Sequence, residues 1–233
     1  MCTVAVAAAV VAGACSATRD ERGARALPAE CGAAPLYVAL GDSTVEGVAA
    51  TSPRHNYVSR LHERLRAVYP NARVDNLGVS GAVSADVLRH QLDRAVKLAP
   101  DLVTLSIGPN DITGGVSVDE YEKHITRILG RLTRETRAVV VVNLLPDLAV
   151  TPRFRQSDQR DAVGRLTVWF NEALERQARA HGVEIVDLYA RSRDEVPRRP
   201  ELVAADGYHP SDLGYARWAE LMWTRVAPKV ARC

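Results

Sequence analysis

An excess of either charge is missing from this chain. Its 233 residues carry 30 Lys and Arg against 28 Asp and Glu, a formal net charge of +2, so bulk charge supplies no hold on a nucleic acid. Lysine is scarce, with Lys97, Lys123 and Lys229 the only ones, and the Arg bias follows coding composition as readily as function. No apolar run is long enough to cross a bilayer: VAVAAAVVAGA, residues 4–14, falls well short of the roughly 20 residues that a spanning helix needs. There is no internal repeat, and no pair of histidines has metal-ligand spacing with a further ligand nearby. Membrane-embedded, repetitive and metal-centred proteins are excluded on these grounds. The remaining class is an ordinary globular protein, 47% hydrophobic and 25% charged, of a length that suits one domain with a leader.

The leader is residues 1–14, an expected signal peptide. Ala12, Gly13 and Ala14 supply the small residues that a signal peptidase requires, and Cys15 behind them makes the stretch resemble a bacterial lipoprotein box, with Ala12 where leucine is usual. Secretion, or attachment to a membrane through a lipid on Cys15, is the expectation. Residues 15–33 are charged and Ala-rich without a sustained apolar face, and are expected to form a flexible tether ahead of a domain at 34–233. Once Cys2 leaves with the leader, Cys31 and Cys233 remain beyond Cys15. Cys31 precedes the first strand and Cys233 follows the final helix, two points that meet at one edge of an open α/β sheet, so a disulfide between them is expected in an oxidising compartment.

Five apolar runs read as strands: Leu36 to Leu40, Val74 to Leu77, Leu102 to Ile107, Val139 to Leu145 and Val183 to Leu188. Several are continuously apolar, as parallel strands covered on both faces are. Helical spacing lies between them. Val58, Leu61, Leu65 and Val68 recur until Pro70; Tyr121, Ile125, Ile128 and Leu132 follow an S-x-x-E box at Ser117 and Glu120; Val163, Leu166, Phe170 and Leu174 mark another, joined by one around Val87, Leu88 and Leu92 and a last from Ser211 to Val226. The alternation predicts a three-layer α/β/α sandwich, a doubly wound parallel sheet of five strands with right-handed crossovers. Ligands in such sheets sit at the carboxyl ends of the strands. The segments there are GDST after the first strand, NLGVSG after the second, GPND after the third and DGYHPS beyond the fifth.

A serine hydroxyl becomes a nucleophile when a histidine, oriented by a carboxylate, takes its proton. Asp206 and His209 are three residues apart, a spacing that lets one turn deliver the carboxylate to one ring nitrogen while the other faces Ser43. A tetrahedral intermediate also needs donors at its oxyanion, and Gly78, Asn110 and the Ser43 N–H are candidates.

These four segments, in this order and on these strands, resemble the blocks of the SGNH, or GDSL, hydrolases, across the domain from about Leu36 onward. The resemblance implies a flavodoxin-like sheet and cleavage of carboxylic esters without metal or cofactor. It further implies Ser43 as nucleophile, His209 as base and then acid, Asp206 as its orienter, and Ser43, Gly78 and Asn110 around the oxyanion. Thr44 and Val45 stand where leucine and other residues are common, which leaves the substrate open among small-molecule and lipid esters, carbohydrate O-acetyl groups, thioesters and acyl transfer to an alcohol. A binding protein that has lost turnover is the alternative of another class. A monomer is expected.

Other residues have plainer readings. Ser80 lacks the G-x-S-x-G setting of a nucleophile elbow and reads as a loop hydrogen-bonder. Asp42 and Asp111 adjoin tight turns and read as backbone acceptors. His62, His90, His124 and His181 fall on or at the ends of helices, and His55 reads as a solvent-facing loop residue. Trp169, Trp218 and Trp223 read as packing groups, and RSRDEVPRRP, residues 191–200, as a solvated loop.

Overall fold

In the computed structural model, which describes residues 25–232, strand and helix alternate as the apolar periods require. The order is β1 (Leu36–Gly41), α1 (Ser43–Glu46), α2 (Tyr57–Val68), β2 (Arg73–Asn76), α3 (Ser84–Asp86), α4 (Leu92–Lys97), β3 (Leu102–Ser106), α5 (Pro109–Thr113), α6 (Val118–Glu135), β4 (Val139–Asn143), α7 (Arg160–Ala180), β5 (Glu184–Val186), α8 (Leu188–Glu195) and α9 (Asp212–Val226). A π turn, Val87–Gln91, joins α3 to α4. All strand pairs are parallel, in the order β2-β1-β3-β4-β5. This is the flavodoxin-like winding, which reverses direction between β1 and β3.

The side-chain period of two explains why the central strands are apolar without interruption. Val38, Leu40, Val103, Leu105, Val140 and Val142 face the layer of α4, α6 and α7. Their neighbours Tyr37, Ala39, Leu102, Val139 and Val141 face α2 and α9. Both sheet faces are therefore covered, and both require hydrophobic residues. The edge strand β2 escapes this demand and is largely exposed.

Helix starts follow local chemistry. The Ser117 hydroxyl accepts from the Glu120 N–H (3.2 Å) and caps α6, Asn56 caps α2 through the Ser59 N–H (2.7 Å), and Ser211 caps α9. Each supplies an acceptor to a donor that a first turn leaves without an intrahelical partner.

Three expectations need correction. Residues 191–195 are the second half of helix α8 and not loop, because Leu188 anchors the helix in the core and the Asp187 carboxylate caps it by accepting from the Ala190 N–H (2.8 Å). Trp169 is half exposed, whereas Trp218 is buried. Residues 25–33, expected within the tether, pack on the domain: Leu27 is buried, its N–H donates to the Lys229 carbonyl (2.9 Å), and the Arg25 guanidinium donates to the carbonyls of Thr133, Thr136 and Ala138. Cys31 is disulfide-bonded. Cys233, its expected partner, and Cys15, the expected lipidation point, lie outside the described residues.

Candidate active site

Ser43 owes its position to the residue two before it. Gly41 ends β1 with φ +147°, and a Cβ there would lie 1.9 Å from the Ser106 carbonyl oxygen, so only glycine lets the chain turn this close to β3. The buried amide of Gln91 holds the same residue from the other side, accepting from the Gly41 N–H (2.9 Å) and donating to its carbonyl (2.8 Å). Asp42 then caps α1, accepting from the N–H (2.9 Å) and hydroxyl (2.8 Å) of Thr44. The outcome is a buried serine at the head of a one-turn helix, in the crevice where the sheet changes winding direction.

The histidine arrives from the far end of the chain. Gly207, at φ +73°, folds the segment back, and a backbone pair (Ala204 N–H to the His209 carbonyl, 2.8 Å) closes it. Inside the turn, Asp206 Oδ1 accepts from the N–H groups of Tyr208 (2.9 Å) and His209 (3.0 Å), which leaves Oδ2 2.6 Å from His209 Nδ1. His209 Nε2 lies 2.9 Å from Ser43 Oγ, across 166 positions of sequence. Burial pushes the Asp206 carboxyl up, but the Tyr208 N–H, the His209 ring and the His209 N–H outweigh it and hold it below its ordinary value. The histidine thus faces an ionised carboxylate on one nitrogen and a hydroxyl on the other.

Asn110 stands on α5 after β3, with its Nδ2 donating one hydrogen to the Ala82 carbonyl (3.0 Å) and a second hydrogen without a partner among the described residues. The Ser43 N–H heads α1, among the donors that a first turn leaves open. Gly78 is adjacent, and a Cβ on it would fall 2.4 Å from the Glu46 backbone nitrogen. Its N–H, however, donates to Asn76 Oδ1 (2.9 Å). Gly78 is therefore engaged where the sequence reading expected an open donor.

Asp42 and Asp111 are the acceptors expected of them. Asp111, fully buried, takes the N–H and the hydroxyl (2.5 Å) of Ser84, whose oxygen also lies 2.9 Å from His124 Nδ1. Burial raises the Asp111 carboxyl, and the Ser84 bonds only partly offset it. Burial likewise pushes Asp42 up to about 6, against the lowering effect of its Thr44 bonds, and its Oδ2 has no hydrogen-bond partner among the described residues. The Ser80 N–H donates to Glu46 (2.6 Å) on an exposed loop. His55 is half exposed yet bonded: its Nδ1 lies 2.8 Å from Asp212 and 2.9 Å from the Thr51 hydroxyl. Gln91, Ser84 and Asn76 went unread in the sequence. A glutamine inside the apolar pattern around Val87, Leu88 and Leu92 was the one available signal.

The GDSL-like lipase/acylhydrolase family model matches residues 39–217, a span that contains all four segments. An acetylxylan esterase of Geobacillus stearothermophilus is 27% identical over 172 residues, which are 68% of this chain and 75% of that protein. The crystal structure of an acetylxylan esterase from the same organism superposes with a TM-score of 0.69 at 22% identity, covering 87% of this chain and 98% of that one. An α/β hydrolase from the metagenome of Lake Arreo, Spain, does so at 0.68 and 22%, covering 84% and 96%. These structural likenesses carry the fold, and the family match carries the chemistry. The chain belongs to the GDSL-like lipase/acylhydrolase family and is a serine ester hydrolase acting on carboxylic esters.

Proposed function

We propose that Ser43 is the nucleophile of this hydrolase and that the reaction runs through an acyl-enzyme. The Ser43 Oγ attacks the ester carbonyl as its proton passes to His209 Nε2; the tetrahedral intermediate collapses, the C–O bond to the alcohol breaks, and the imidazolium returns the proton to the departing oxygen. Water then enters, gives a proton to the same nitrogen and releases the acid, and Ser43 regains its hydrogen. Asp206 orients the ring and stabilises the imidazolium. Asn110 and the Ser43 N–H, with Gly78 once its bond to Asn76 is exchanged, would hold the oxyanion. The observation that carries this reading is the line Asp206–His209–Ser43, at 2.6 Å and 2.9 Å.

Likeness to an acetylxylan esterase supports a second reading, removal of acetyl groups from a carbohydrate alcohol. The reading also includes export and a lipid on Cys15, on the strength of the apolar leader. A fluorophosphonate probe tests the nucleophile: it should label the parent protein at Ser43, and Ser43→Ala should lose both label and at least about 10⁴ in kcat. Labelling that survives in Ser43→Ala would move the nucleophile to another serine, and a parent that takes no label would be left as a binding protein.

A further inference from the structure

One cavity takes in both Ser43 and the facing stripes of two helices. Its volume is about 110 Å³, and Ser43, Asn110 and His209 line it together with Leu148 from the loop after β4. On α9 the lining positions are Gly214, Arg217, Trp218 and Leu221; on α8 they are Leu188, Arg191, Ser192 and Glu195. Each set recurs at three and four residues, so each is a single helical face. A rise of 1.5 Å per residue makes either stripe about 10 Å long. Leu188, Trp218 and Leu221 on these stripes, with Leu148, Leu202 and Val203 beside them, make most of the exposed lining apolar. The principal charges are Arg191 and the Arg217–Glu195 pair (2.8 Å), which joins one wall to the other and is only partly exposed. The result is a slot between α8 and α9 that Ser43 also lines and that an ion pair bridges.

Resting on the acyl-enzyme reading above, we propose that this slot receives the acyl half of the substrate and selects a saturated chain of about four to eight carbons. That length follows from the 10 Å stripe and carbon–carbon bonds of about 1.5 Å, and the cavity exceeds by several-fold the 10–15 Å³ that one water needs. An acetyl group would leave most of it unfilled. The division of labour between the two halves of the ester decides which one enters. The alcohol must leave for solvent before deacylation, whereas the acyl group stays bonded to Ser43 Oγ through both steps, so a confined apolar slot serves the tethered half. Each methylene that moves from water into it is worth about a fourfold gain in kcat/KM, the equivalent of the transfer of one CH₂.

Two ester series test the proposal: p-nitrophenyl esters from acetate to palmitate, which vary the acyl half, and acetates of ethanol to octanol, which vary the other. The expected result is a kcat/KM at least tenfold higher for hexanoate than for acetate, a decline beyond octanoate, and no comparable peak in the alcohol series. Leu221→Trp should lower the hexanoate-to-acetate ratio tenfold or more, and Leu221→Ala, which adds no bulk, should move the optimum to longer acids. Acetate as the best acyl group, a peak in the alcohol series, or a ratio unmoved by both variants would overturn the slot while Ser43 labelling left the acyl-enzyme intact. Absence of both ester turnover and label would overturn both.

Discussion

Among the described residues two histidines pair directly with an aspartate, and only in one pair does the second ring nitrogen meet a hydroxyl. In His209–Asp206 the carboxylate lies at Nδ1 and the Ser43 hydroxyl at the opposite nitrogen, so a proton taken from one side is balanced by charge on the other. In His55–Asp212 the carboxylate and the Thr51 hydroxyl crowd the same nitrogen, and Thr51 Oγ1 bonds Asp212 directly at 2.5 Å. The residue types match those of a triad, but the connectivity differs. The second group is a brace that ties the 51–55 loop to the start of α9, three residues after His209. A triad is thus defined by which nitrogen meets which partner, and a nearby Asp, His and hydroxyl are not sufficient.

The carboxylates divide in the same way. Asp206 is held low by donors and a ring that favour its charge, while Asp42, next to Ser43 in sequence, is pushed up to about 6 by burial. One environment keeps a charge beside an imidazole, and the other penalises it.

Substitutions can break these contrasts. His209→Ala should cost at least about 10⁴ in kcat, as removal of a member of an acting triad does; a loss under tenfold would strip His209 of its role. Asn110→Ala should cost on the order of 10²–10³ in kcat with little change in KM, and a loss below about threefold would take Asn110 out of the oxyanion site. Asp42→Asn keeps the cap oxygen and removes the penalised charge. Because the folded carboxyl titrates at about 6 and the unfolded one near 3.8, the native state holds the extra proton between these values, and parent stability falls as pH rises from about 4 to 6. At about 1.4 kcal/mol per pH unit the variant should gain up to about 3 kcal/mol over the parent at pH 8, shrinking towards pH 4; denaturant midpoints at the two pH values check this, and a difference independent of pH would refute it. The smallest effect belongs to His55→Ala, which should change kcat less than about threefold. A loss comparable to that of His209→Ala would erase the distinction between the two pairs.

The parts legible in the sequence were those with long periods or rigid local chemistry. Continuous apolar runs gave the strands, because β1, β3 and β4 are covered on both faces, and the spacing of Asp206 and His209 gave the turn that pairs them. The short helices were harder. With four and five residues, α1 and α5 make little more than one turn and show no period, and α8 is so rich in charge that its single core anchor, Leu188, reads as the end of the fifth strand. Apart from the Ser117 cap and the lone glutamine in an apolar pattern, side-chain bonds to backbone left no trace: nothing local says which backbone Gln91 should clamp, or that Asn76 should occupy the Gly78 N–H.

The docking of Leu27 beside Lys229 gives the molecule a polarity. This clasp lies where the strands begin and α9 ends, while Ser43 and His209 stand at the edge where the strands finish. Arg25 and Leu27 therefore sit on the side opposite Ser43 and His209. A body held by that end would present the rim that carries Ser43 and His209 outward, away from the point of attachment.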